Sequence, residues 1–179
     1  RIRAFAGQSD MLYAARLSPD QKQLASASYD KTILIWNVEN GKVLHELKGH
    51  NEAIYDVAFR PDGKVLASVS GDRTLKLWNV ETGARLDTLS ESLKELSAVA
   101  FTPDGKRILF ASNRHACDSR MFELYVINTD GTGLEQVTNF GGFTSFPEFS
   151  PDGRKVVFCS DRGAKSRYEF NIFVAEWAE

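Results

Sequence analysis

The chain has 179 residues, 42% of them hydrophobic, and its 22 Lys and Arg nearly balance 24 Asp and Glu, leaving a formal net charge of −2. Such a balance offers no electrostatic basis for binding nucleic acid or an anionic membrane surface, and no apolar run approaches the ~20 residues that cross a bilayer. A soluble, ordered chain with a substantial core is expected, cytoplasmic if expressed as it stands. In chain order, residues 1–7 come first; they are too short and too broken by charge for a signal peptide and lack a starting Met, so derivation from a longer chain is expected.

One phrase then recurs four times: Leu17-Ser18-Pro19-Asp20, Phe59-Arg60-Pro61-Asp62-Gly63, Phe101-Thr102-Pro103-Asp104-Gly105 and Phe149-Ser150-Pro151-Asp152-Gly153. Its prolines stand 42, 42 and 48 residues apart, the spacing of repeated supersecondary units. Each unit divides into short alternating apolar stretches separated by turn residues, the pattern of antiparallel hairpins. Strands are predicted over 12–17, 22–28, 32–38 and 42–48; over 53–59, 64–70, 74–80 and 84–89; over 97–102, 106–112, 122–128 and 134–138; and over 144–149, 154–160 and 170–177. Pro followed by Asp-Gly ends one strand and supplies the positive φ of a tight turn. The last unit has three strands, and residues 1–7 align with 43–49 when Gly7-Gln8 is laid on Gly49-His50. Sixteen strands in four sheets of four are therefore expected, with residues 1–7 closing the last sheet. Radial repetition of four-stranded sheets is the propeller solution to exposed edges.

The first half resembles the WD40 repeat family. The carriers are Gly49-His50 and two long stretches, Leu24-Ala25-Ser26-Ala27-Ser28-Tyr29-Asp30-Lys31-Thr32-Ile33-Leu34-Ile35-Trp36-Asn37 and Leu66-Ala67-Ser68-Val69-Ser70-Gly71-Asp72-Arg73-Thr74-Leu75-Lys76-Leu77-Trp78-Asn79. The resemblance implies a buried structural tetrad of His50, Ser68, Asp72 and Trp78 in the second unit. In the first unit Ser26, Asp30 and Trp36 have a Gln8 where the His belongs, implying a weakened or rearranged set. From about residue 91 the chain is similar instead to TolB-type, WD40-like (PD40) propeller repeats, through Phe101 to Arg114, Leu124-Tyr125-Val126-Ile127-Asn128-Thr129-Asp130-Gly131, and Pro147 to Gly153 with Phe158-Cys159-Ser160-Asp161-Arg162.

Together the two resemblances imply an all-β propeller: two WD40-like blades over 1–90 and two TolB-like blades over 91–179, forming a single continuous unit. Families of this kind build rings of roughly six or seven blades, so two plus two is the composition of a recombined or engineered chimera, the alternative being a natural mixed or trimmed protein. Four blades in a closed ring turn about 90° each, eight about 45°. An eight-bladed homodimer is expected, with residues 1–7 of each chain completing the partner's last sheet; a four-bladed monomer is the competing arrangement.

Function is less specified. The resemblance implies a non-catalytic scaffold for protein or peptide partners, with no cofactor. Neither GxSxG nor HExxH occurs, and Ser68, His50 and Asp72, though triad types, are explained as tetrad members. Cys117 and Cys159 lack metal or disulfide spacing and are expected as free thiols. His115 with Cys117 and Asp118 is too sparse a set for a metal, and Asp130-Gly131 and the Pro-Asp-Gly phrases are turns rather than calcium loops. The repeated Phe101, Phe110, Phe149, Phe158 and Trp177 read as packing between sheets. The candidate ligand-binding set is the two long basic turns of the second half: Arg114, His115 and Arg120, with Asp118, and Arg162, Lys165, Arg167 and Tyr168. Their guanidinium groups suit carboxylates or phosphates, and the alternative reading is a natural ligand-binding module that uses them.

Overall fold

Turn chemistry and alternation produce fifteen antiparallel strands and no helix among the residues that the computed structural model describes: 2–89, 94–116, 118, 120–166 and 169–178. The chain divides into two compact units, Arg1–Ser90 and Glu91–Glu179. The all-β propeller class thus holds at the level of its sheets: four antiparallel sheets, each a meander in which sequential strands are neighbours.

In the first unit, β1 (Leu12–Leu17), β2 (Gln23–Ser28), β3 (Thr32–Asn37) and β4 (Val43–Lys48) make one sheet, and β5 (Ile54–Phe59), β6 (Val65–Ser70), β7 (Leu75–Asn79) and β8 (Arg85–Leu89) the next. The turn between β5 and β6 is closed by Gly63 at φ 72°, whereas Gln21 takes the same left-handed conformation at φ 60° in the first sheet. The two sheets share one apolar core. Ala14, Ala25 and Ala27 with Ile33, Ile35 and Leu47 meet Ile54, Val57, Leu66, Trp78 and Val80 in a continuous buried cluster. Arg16 adds an ion pair to the mostly buried Asp56 at 3.2 Å.

In the second unit, β9 (Leu96–Phe101), β10 (Arg107–Ser112), β11 (Glu123–Asn128) and the two-residue β12 (Glu135–Gln136) form the third sheet. The fourth comprises β13 (Thr144–Phe149), β14 (Lys155–Ser160) and β15 (Asn171–Glu176). Ala98, Leu109, Ala111, Phe122, Leu124 and Val126 pack against Val156, with Phe143, Phe149, Phe158, Ala175 and Trp177 around them. The first strand of every sheet carries a register irregularity against the second, and that of β13 is the widest, between Ser145 and Glu148.

The expected sixteenth strand is not formed within the chain. Residues 2–7 have no strand pairing, Arg1 lies outside the described residues, and β15 ends a three-stranded sheet. The physical reason is visible in where the segment lies. It is seated on the outer part of the first sheet just as β4 and Gly49 are seated on the second, 42 residues on. Arg3 abuts Gly41 as His45 abuts Gly83, and Gly7 lies under the Trp36 ring as Gly49 lies under Trp78. Phe5 packs edge-on against Trp36 at 5.7 Å. The Ser9 N–H bonds Asp30 at 2.9 Å as the Asn51 N–H bonds Asp72 at 2.8 Å. Residues 2–9 therefore lie against the first sheet as β4 and the residues after it lie against the second.

Candidate functional site

Three groupings have chemistry worth building up. The first is buried between the first two sheets. The indole Nε1–H of Trp78 donates to Ser68 Oγ at 2.9 Å, Ser68 Oγ lies 2.7 Å from His50 Nε2, and His50 Nδ1 lies 2.9 Å from Asp72 Oδ2. Since the Ser68 oxygen already accepts the indole proton, its own O–H is directed to Nε2, and the Nδ1–H donates to Asp72. Burial lowers the His50 pKa, its largest influence, and Asp72 pulls only partly the other way, so the imidazole is neutral. Burial raises the Asp72 carboxyl, but hydrogen bonds from Thr74, the Asn51 N–H and His50 outweigh that and hold it below the ordinary carboxylate value. Ser68 is 0% exposed, so this serine, histidine and aspartate are arranged to satisfy a buried indole and give no substrate access to the hydroxyl.

In the first sheet the analogous bonds are only partly made. Trp36 Nε1–H donates to Ser26 Oγ at 2.8 Å, and Thr32 and Ser9 supply donors to Asp30. Gln8 stands at the histidine position, but its Nε2 donates to the Ser26 and Thr32 carbonyls at 3.2 Å each. Its Oε1 is buried without a hydrogen-bond partner. Among the described residues no side chain links Ser26 to Asp30 as His50 links Ser68 to Asp72.

The second grouping is the pair of basic turns, whose contacts run to their own sheets. His115 Nδ1 is 3.0 Å from the Tyr125 hydroxyl and 3.3 Å from Gln136 Oε1. Arg120 is paired with Asp118 through two nitrogens, at 3.3 and 3.0 Å. Arg114 has an interaction partner as well. In the other turn the Arg162 guanidinium lies over Phe140, 4.6 Å from the ring centre, and 5.9 Å from that of Phe173, while Lys165 is exposed. Arg167, Tyr168 and Cys117 lie outside the described residues. Cys159 is a half-buried free thiol, and no group of three or more metal-ligating side chains occurs among the described residues.

The third grouping escapes the sequence reading. The Phe143 ring centre lies 6.0 Å from that of Phe146 and 5.2 Å from that of Phe170, and three residues earlier the Phe140 ring carries Arg162. The available signal is the run Phe140-Gly141-Gly142-Phe143-Thr144-Ser145-Phe146-Pro147, three phenylalanines in seven residues around a glycine pair rather than at alternating strand positions.

Elsewhere, a cleft of 840 Å³ opens between the turns of the first two sheets, lined by Pro19, Pro61, Leu44, His45, Asp62 and Glu81 among others. The Asp62 carboxylate there is already held by Arg60 at 2.7 Å. Among the described residues no helix is long and apolar enough to cross a membrane.

Comparison with known families finds two models on the chain, which overlap over residues 70–79. Residues 70–174 match the family model described as TolB beta propeller domain, and residues 1–37 and 41–79 match that described as WD domain, G-beta repeat.

Proposed function

The chain belongs to the TolB beta propeller domain family, with WD G-beta repeats over its first 79 residues, and from that membership we propose a non-catalytic interaction scaffold: a recombined propeller, two blades from each parent, that closes with a second copy of itself and presents its turns to protein or peptide partners. WD domains commonly mediate protein interactions, and the buried serine of the second sheet favours a structural over a hydrolytic role for its triad-like set.

One observation carries the reading. Residues 2–9 lie on the first sheet as an outer strand without a sheet, while the fourth sheet is a three-stranded sheet without an outer strand. Each defect is the complement of the other, and pairing them between two chains generates a closed two-fold assembly. Exposed apolar side chains on β15, Ile172 and Val174, support the same reading.

Removal of residues 1–7 tests it. The shortened chain should run as a monomer with a raised tendency to aggregate through the edge left at β15. Unaltered dimerisation of the shortened chain would refute the exchange.

A further inference from the structure

Phe143 packs on one side against the core of the second unit, its ring centre 5.8 Å from that of Phe122, and on the other meets rings that sheet packing leaves exposed. Its neighbours Phe146 and Phe170 are 57% and 52% exposed, and Phe140 is 38% exposed. A single exposed phenylalanine is ordinary on a protein surface, whereas Phe146 and Phe170, both in ring contact with Phe143, make a patch. The backbone adds a second point. Phe146 sits at φ 57°, inside the irregularity that separates Ser145 from Glu148 in the pairing of β13 with β14. A bulky non-glycine residue is disfavoured in that left-handed region, where Gly or Asn is at ease. Burial does not compensate for a ring more than half exposed, so the fold alone gives no reason for phenylalanine at this position.

The turn after β14 brings Arg162 against Phe140, while the Glu123 carboxylate beside Phe140 is held by the Phe140 and Gly141 N–H groups. Arg162 is held in place by the Phe140 face, and among the described residues no carboxylate lies within ion-pair distance of Arg162 or Lys165. The acids of the same turn are directed to the backbone: Asp161 accepts the Phe143 N–H at 2.9 Å and Glu169 accepts the Lys165 N–H at 2.8 Å. Apolar rings bordered by unneutralised cations match a ligand with an apolar anchor flanked by carboxylates. A cationic ligand is disfavoured, because Arg162 already covers Phe140 and would repel it.

Resting on the scaffold reading, and going beyond it, we infer that Phe140, Phe143, Phe146 and Phe170 with Arg162 and Lys165 form the docking site for an acidic peptide segment bearing one aromatic side chain. The aromatic side chain covers the exposed Phe146 and Phe170 rings. The flanking carboxylates meet the guanidinium of Arg162 and the ammonium of Lys165.

The test uses the full chain and fluorescently labelled peptides containing one Trp flanked on both sides by Glu, with binding followed by anisotropy. Binding is expected to saturate and to weaken with added salt, and both Lys-flanked peptides and peptides with Ala for Trp should bind at least roughly tenfold more weakly. Phe146→Asn is expected to reduce binding by roughly tenfold or more while leaving the melting temperature unchanged or raised. Arg162→Gln should weaken binding and flatten its salt dependence. Absence of saturable binding, equal binding of the Lys-flanked peptide, or a lowered melting temperature of F146N with binding intact would overturn the site. The mass of the assembly, read on the same samples, separates the two proposals: lost peptide binding at unchanged mass fails this site alone.

Discussion

His50 illustrates how one buried side chain couples the second sheet to pH. Its folded-state pKa lies below the ordinary value of 6.5 because burial disfavours the imidazolium, so below about pH 6.5 the unfolded chain takes up a proton that the folded chain refuses. Stability should therefore fall between pH 7 and 5, with a slope of up to ~1.4 kcal/mol per pH unit from this group. The depressed carboxylates, Asp72 with the turn residues Asp20 and Asp152, act in a separate window, losing their contribution only below about pH 4. Urea midpoints followed by tryptophan fluorescence should show a smaller loss from pH 7 to pH 5 in His50→Gln than in the parent, and a variant less stable at pH 7 by about 1–3 kcal/mol. Gln8 gives the converse case. Gln8→His would place an imidazole between Ser26 and Asp30 and remove a buried unpaired amide oxygen, so thermal unfolding should show a gain of about 1 kcal/mol. Both positions are readable from a 42-residue register, since equivalent places in a repeat meet equivalent surroundings. The two carbonyls that Gln8 binds instead are not readable, because an amide can turn to whatever backbone acceptor is near.

Among the elements, β15 leaves an apolar face exposed in a single chain. Phe173 and Ala175 face inward, Phe173 stacking on Phe158 at 5.7 Å, whereas Ile172 and Val174 are 74% and 64% exposed. Val174 pairs with Val157, itself partly exposed, so the outward face of the sheet is apolar across strands. Val174→Lys at a truly solvent-facing position would change stability by no more than about 0.5 kcal/mol. If a second copy covers that face, the substitution should instead shift the association midpoint by roughly tenfold or more in sedimentation velocity, since an unpaired lysine would be buried. The strands themselves were legible from alternation and from the Pro-Asp-Gly turns, which place every boundary within a few residues. The bulge that turns Phe146 outward was not, because alternation assumes an unbroken pleat and Ser145-Phe146-Pro147 breaks it. Residues 1–7 are legible as a strand in the repeat, yet a strand forms only where another offers its ladder, and that depends on which sheet is within reach.

At the scale of the whole molecule, the two units carry two kinds of repeat. Trp36 and Trp78 with their serine acceptors hold the WD-type sheets, while stacked phenylalanines and Trp177 fill the TolB-type ones. The two kinds of repeat share an antiparallel meander and a common Pro-Asp turn, not a common core. The measurement that bears most directly on this account is the mass of the purified chain by light scattering. Twice the 20.0 kDa chain mass is predicted, held over dilution into the micromolar range and lost when residues 1–7 are removed. A single-chain mass, unaffected by that removal, would contradict closure by a second copy.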